Sequence, residues 1–221
     1  MTDYSALPRG VDVSHFQAGV SWSTLASAGY GYAVIKATQG MHTDPLFLVN
    51  AGGAADAGFI TFAYPFLTPD DDAATVAHFL DVTGGMVPAL DWEAKGVPDA
   101  VVERFIKGYE DKAGRAGLAY YGLYPPDKLT PLIASWPRWF PEYAPEPKIP
   151  AWDGVSTPDW SKEWLIWQWT GTGRASGVTT AIDLNRCAVS LDVLRRWHDT
   201  GSFSDGSPAA SSSPSPTSPT S

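Results

Sequence analysis

One cysteine, Cys187, occurs in 221 residues, so no internal disulfide can form and stability has to come from packing. A small core residue, not a nucleophile, is the expected role of that thiol. Cations are scarce too: 15 Lys and Arg stand against 24 Asp and Glu, a formal charge of −9. Nucleic-acid binding rests on cations that neutralise phosphates, so this balance argues against a DNA or RNA partner. No stretch approaches the roughly 18 continuous apolar residues of a membrane span, and the first nine residues lack a basic segment followed by an apolar one. Neither membrane insertion nor a secretory signal is expected. His15, His42, His78 and His198 are dispersed, with no two at ligand spacing, so a metal site is not expected. No Gly-x-Ser-x-Gly elbow occurs, which removes one route to a serine nucleophile.

What the chain does have is a core's worth of apolar side chains, 44% of the total, including ten Trp, nine Tyr and nine Phe. Aromatics dominate ordinary cores, and their flat amphipathic rings also suit sugar faces. Short, nearly continuous apolar runs occupy residues 10–14, 32–38, 59–66, 86–93 and 118–122, and helical patterns between them cover 21–28, 44–57, 70–82 and 98–115. Strands of that kind, regularly interleaved with helices, indicate βα units around a buried parallel sheet. After residue 122 prolines interrupt the helical patterns. Strands remain plausible at 138–142, 149–153 and 165–170, with a last helix at 190–198. The expectation is a modified (β/α) TIM-like barrel with short or missing helices in its second half, a doubly wound open sheet being the alternative. Residues 1–201 form the folded domain in this reading. Residues 202–221, rich in Ser and Pro, form a disordered tail or linker.

The chemistry is expected where acids interrupt apolar runs. Asp91 and Glu93 lie two apart at the end of the fourth run, so an extended strand turns both to one face and Trp92 to the other. Strand ends at the C-terminal face of such barrels carry active sites. Two nearby carboxylates raise each other's cost of ionisation, which supplies a proton donor near neutral pH. Acid-assisted cleavage of a glycosidic bond needs that donor together with a second negative charge. An Asp-x-Glu alone is equally compatible with a solvated edge or half of a metal site. Asp12 and Asp183, each flanked by aliphatics, are further candidates, because a charge in such a run must be paired or aimed at a site. Asp12 is also compatible with a turn cap or with pairing to Lys36 or Arg186.

Taken in order, Gly10-Val11-Asp12-Val13-Ser14-His15-Phe16-Gln17, Ile35-Lys36-Ala37-Thr38, Phe62-Ala63-Tyr64, Leu90-Asp91-Trp92-Glu93, Trp167-Gln168-Trp169-Thr170 and Ile182-Asp183-Leu184-Asn185 resemble the successive motifs of family 25 glycoside hydrolases. These are lysozymes acting as N-acetylmuramidases, many of them phage endolysins. The resemblance implies cleavage of the β-1,4 bond between N-acetylmuramic acid and N-acetylglucosamine in the peptidoglycan glycan strand, with retention and without a cofactor. Glu93 would be the general acid. Asp91 would be its partner, as nucleophile or by orienting the substrate's acetamido group, with Asp12 and Asp183 as supporting acids. Lys36, Tyr64, Tyr121 and Gln168 would contact sugar, with Tyr120 the alternative to Tyr121. The chain departs from the pattern at Gln39, where a Glu is common, and at Pro65, where a His is frequent.

A monomer is expected, made in the cytoplasm and reaching the wall after phage lysis, in a virion or by non-classical export. Its acidic surface offers no general attraction to an anionic wall, which suggests that attachment comes from a further module or a partner. The competing reading is a catalytically silent wall-binding or virion structural module. It predicts the loss of at least one of the four acids, and none is lost.

Overall fold

The computed structural model describes residues 3–122 and 129–204. Nine strands form one sheet in the order β1-β9-β8-β7-β6-β5-β4-β2-β3. They are β1 (Arg9–Val13), β2 (Tyr30–Gln39), β3 (His42–Thr43), β4 (Ile60–Phe66), β5 (Ala89–Asp91), β6 (Leu118–Tyr120), β7 (Arg138–Pro141), β8 (Ile166–Gly173) and β9 (Ile182–Cys187). A further parallel pairing of β1 with β2 closes eight of them into a barrel, leaving β3 as a short hairpin arm on β2. Closure disposes of the open doubly wound sheet.

The barrel is mixed, however. From β1 through β2, β4, β5, β6, β7 and β8 the ladders are parallel, whereas β9 runs antiparallel to both of its neighbours, β8 and β1. The cause is the short β8–β9 connection. Antiparallel strands can be joined by a tight loop, while a parallel pair needs a crossover of a dozen residues or more. The run expected as a strand at 149–153 contributes only an isolated bridge between Ala151 and Trp164.

Five α-helices lie among the described residues: α1 (Trp22–Ser27), α2 (Phe47–Asp56), α3 (Ala73–Thr83), α4 (Asp99–Ala113) and α5 (Leu191–Thr200). The first four alternate with strands in the front half, and among the described residues no α-helix lies between β6 and β9, as the prolines there anticipate. Local chemistry sets their ends. Asp72 caps α3 by accepting from the backbone N–H groups of Ala74 and Thr75, and Gly84 ends it at φ 61°, a left-handed conformation that glycine adopts without steric cost. Pro45 falls just before Leu46, the N-cap of α2.

Alternation along the strands sorts side chains into two layers. Val11, Val13, Ala33, Ile35, Ala63, Leu90, Ala119 and Tyr121 face out beneath the helices, with Phe79, Val102, Phe105 and Ile106 packed on them. Tyr32, Val34, Phe62, Ala89, Leu118 and Cys187 fill the interior and base. Gly10 is required in that interior, because a Cβ there would come within 2.2 Å of the Tyr32 ring. Helix α5 crosses the base, where Arg195 donates to the Gly58 carbonyl and Trp197 stacks on Phe62. Phe203 then lies parallel to Trp197 at 5.4 Å and meets Trp152 at 4.5 Å. The chain is therefore still packed two residues beyond the expected boundary at 201. No helix among the described residues is long and apolar enough to cross a membrane.

Candidate active site

At the C-terminal ends of the parallel strands the inward positions turn polar around a cavity of about 230 Å³. Asp12, Lys36, Tyr64, Asp91, Glu93, Gln168 and Asp183 all line it, so the structure brings seven of the eight sequence-nominated residues together. Two-residue alternation delivers each side chain. Asp91 ends β5, and the alternation persists past the strand: Trp92 turns outward, its Nε1 donating to the Val97 carbonyl, and Glu93 returns to the cavity. Because β9 descends, Asp183 near its start sits opposite Asp12 near the end of β1, and the two are Cα partners.

Tyr121 requires a correction. It is fully buried in the outward layer, its hydroxyl donating to the Trp160 carbonyl and its ring lying 4.5 Å from the Arg138 guanidinium. Tyr120, on the opposite parity, lines the cavity instead. Asp12 pairs with neither Lys36 nor Arg186. Its carboxylate accepts from Gln168 Nε2 at 3.0 and 3.2 Å and from Asn185 Nδ2 at 2.7 Å. Gln168 is the hub of this network, because its Oε1 accepts from the hydroxyls of Tyr120 (3.0 Å) and Tyr143 (2.8 Å). Asn185 is oriented in turn by Trp139 Nε1 at 2.8 Å.

Asn185, Trp139 and Tyr143 were not nominated from the sequence. Parity exposes Asn185, two residues after Asp183; Tyr143 follows the end of β7 and carries no comparable signal. Gln39, the departure in the second motif, accepts from Lys36 Nζ at 2.8 Å and holds that cation 4.8 Å from the Phe66 ring centre. Pro65 sits where the β2–β4 register shifts, a position where its missing N–H is tolerated.

The acids differ in proton affinity. Burial, then the charge of Asp12 and a hydrogen bond with it, push Asp183 up to about 9. Asp12 is also raised by burial, but the bonds from Gln168, Asp183 and Asn185 oppose the shift. These shifts favour one proton shared within the hydrogen-bonded pair. Asp91 is raised well above the usual range by burial, then by the charges of Glu93 and Asp12, with Lys36 opposing. Among the described residues its buried Oδ1 has no hydrogen-bond partner. Glu93 stands at the exposed rim, where partial desolvation by the cavity wall, and then the charge of Asp12, raise it. A second lobe of about 270 Å³ opens beyond Glu93 and Tyr120, walled by Gly122, Pro141 and Tyr143. Among the described residues no group of three or more His, Cys, Asp or Glu is arranged to hold a metal ion.

Four carboxyl groups lie together at the open end of the barrel, an arrangement suited to acid–base hydrolysis. The family model described as "Glycosyl hydrolases family 25" matches residues 11–178, so the chain belongs to that family and is a glycoside hydrolase. It is 30% identical to Lysozyme M1 of Streptomyces globisporus over 203 residues, covering 80% of this chain and 67% of the relative. It is 24% identical to the autolytic lysozyme of Clostridium acetobutylicum, covering 84% of this chain but only 57% of that protein. The bacterial lysozyme of Streptomyces coelicolor shares the fold, with a TM-score of 0.71 at 24% identity over 90% of this chain and all of that one.

Proposed function

We propose that the chain cleaves the β-1,4 bond between N-acetylmuramic acid and N-acetylglucosamine in peptidoglycan, retaining the anomeric configuration, with Glu93 as general acid. The observation carrying this reading is the position of Glu93, the one acid among the described residues that lines both lobes. A glycosidic oxygen joins two sugars, so its proton donor must stand where their subsites meet. The acid-lined lobe would take the muramic acid and the lobe beside Gly122 and Pro141 the glucosamine. Lysozymes among the relatives support the substrate class.

Burial and then the charge of Glu93 raise Asp91, so the resting site favours a proton on this pair. The unpartnered Oδ1 of Asp91 suits the N–H of a substrate acetamido group. That donation favours ionised Asp91 and shifts the proton to Glu93, so binding arms the acid. The acetamido carbonyl oxygen then attacks the anomeric carbon as the C–O bond breaks, and the leaving oxygen takes the Glu93 proton. The anionic Asp91 stabilises the positive charge that develops on the acetamido-derived ring, and a water that gives its proton to Glu93 then opens this cyclic intermediate from the face the leaving group departed. Lys36, Tyr64, Tyr120 and Gln168 would hold the sugar, while Asp12 and Asp183 fix the floor. Because one chain supplies every residue of the cavity, a monomer suffices, meeting the wall after release from the cell in which it was made.

Mass spectrometry of digested peptidoglycan should show muramic acid at the new reducing ends, and Glu93→Gln should abolish their release while leaving the fold intact. Glucosamine at those ends, or an active Glu93→Gln enzyme, would overturn the assignment. Trapping a sugar covalently on Asp91 would replace the substrate-assisted route with a nucleophilic one.

A further inference from the structure

The ladder that brings Asp12 opposite Asp183 inside the barrel also makes Arg9 and Arg186 direct cross-strand partners, on its outer face by alternation. Like charges facing each other across strands are destabilising, and in a chain of net charge −9 a carboxylate neighbour would be easy to supply. None is supplied: no ion pair among the described residues involves Arg9, Arg186 or nearby Arg174. Asp3 feels the Arg186 charge, but its carboxylate is engaged by the N–H and hydroxyl of Ser5. The three arginines surround a cavity of about 230 Å³, walled by Tyr30, Trp169 and Leu184. Burial and the charge of Arg9 both act against the Arg186 cation.

Each guanidinium is held in place through one nitrogen. Arg9 Nη2 donates to the Ala28 carbonyl, with its Cζ 4.8 Å from the centre of the Tyr30 ring. Arg186 Nη1 donates to the carbonyls of Ser5 (3.0 Å) and Leu7 (2.9 Å), and Arg174 Nη1 to that of Thr179 (3.4 Å). Stapling the N-terminal segment accounts for Arg186 alone. It does not account for placing a second cation opposite it and a third beside the same cavity. A planar fork offers five N–H donors in a geometry that fits oxyanions two at a time.

We propose that this outer cavity is an anion site that takes a phosphate-type oxyanion, on the far side of the sheet from the acid cavity, with Trp169 as a flat wall for whatever carries the phosphate. The oxyanion is a free phosphate or one borne on a phosphodiester polymer, and the chemistry is common to both. The assignment does not depend on the reaction at Glu93, and binding is measured without turnover.

Calorimetric titration of the full chain at low ionic strength, once with inorganic phosphate and once with a poly(glycerol phosphate) oligomer, tests the site. Saturable binding of at least one, screened by added chloride, is expected. Arg174→Gln should weaken it roughly tenfold, the loss expected for one charged hydrogen-bond donor, and should leave hydrolysis of a soluble muramyl oligosaccharide unchanged. Arg174 is exposed, so that variant remains informative even if Arg9→Gln or Arg186→Gln loosens the N-terminal segment. Tighter binding of the oligomer assigns a polymer-borne phosphate, and equal binding per phosphate assigns the free ion. No saturable binding of either probe, or equal binding by wild type and Arg174→Gln, overturns the proposal.

Discussion

Asp183→Asn should make this protein more stable, and only at neutral pH. The folded state keeps a proton on Asp183 up to about 9, whereas the unfolded chain releases it near 3.8. Between those values the native state binds the extra proton, so stability falls as pH rises, by about 1.4 kcal/mol per pH unit. From 3.8 to neutrality this amounts to at most about 4 kcal/mol, since Asp12 shares the proton. An asparagine is neutral in both states, and its amide can still donate to Asp12. The variant should therefore match the wild type at pH 4 and exceed it at pH 7, raising the melting temperature by up to roughly 8–16 °C for a domain of this size. Urea or thermal unfolding at the two pH values decides the matter. A variant no more stable than wild type at pH 7, or one stabilised equally at pH 4, would refute the shared proton. Activity should fall in the same variant, the usual cost of relieving a strained site.

Tyr120→Phe should lower kcat by removing a donor to Gln168. Tyr121→Phe should leave kcat unchanged and cost about 1 kcal/mol of stability for its bond to Trp160; equal kinetic losses would contradict the two-layer placement. Lys36→Met removes the positive charge that lowers Asp91 and Glu93, so both groups should hold their protons to higher pH. The limbs of the pH–activity profile should move upward; a downward movement would show that Lys36 acts otherwise. Phe203→Ala should cost about 2–3 kcal/mol, less than for a fully buried ring because Phe203 is only partly buried, with the cleft chemistry intact. A melting curve identical to wild type would mean that the ring stack is incidental.

Much of this organisation was legible in the sequence, since it rests on periods of two and on strand ends. Asp91 and Glu93 share a face because the alternation outlasts β5, and the helix between β5 and β6 follows from its apolar stripe. Tyr121 was misplaced for the same reason. Two adjacent tyrosines have opposite parity, and only the register of β6 against β5 and β7 determines which one faces inward. Strand β9 was not anticipated as antiparallel, because direction depends on the length of the preceding connection and leaves no mark in its own apolar pattern. Phe203 lies in Ser- and Gly-rich surroundings whose composition suggests disorder. The tryptophans that receive it come from distant segments, 152–160 and 197. Residues 205–221 and the Pro125-Pro126 pair lie outside the described residues.

The β1–β9 ladder carries acids on one face and arginines on the other, and that fixes its alignment more firmly than apolar pattern would. Sliding β9 by one residue would bring Arg186 into the barrel and turn Asp183 out, leaving a buried cation among aromatics and Asp12 without its proton donor. Misregistered pairings are thus penalised on both faces at once. A one-residue deletion within β9 should prevent folding where an insertion in the β8–β9 loop is absorbed, so the loop, not the strand, is the place to graft new sequence.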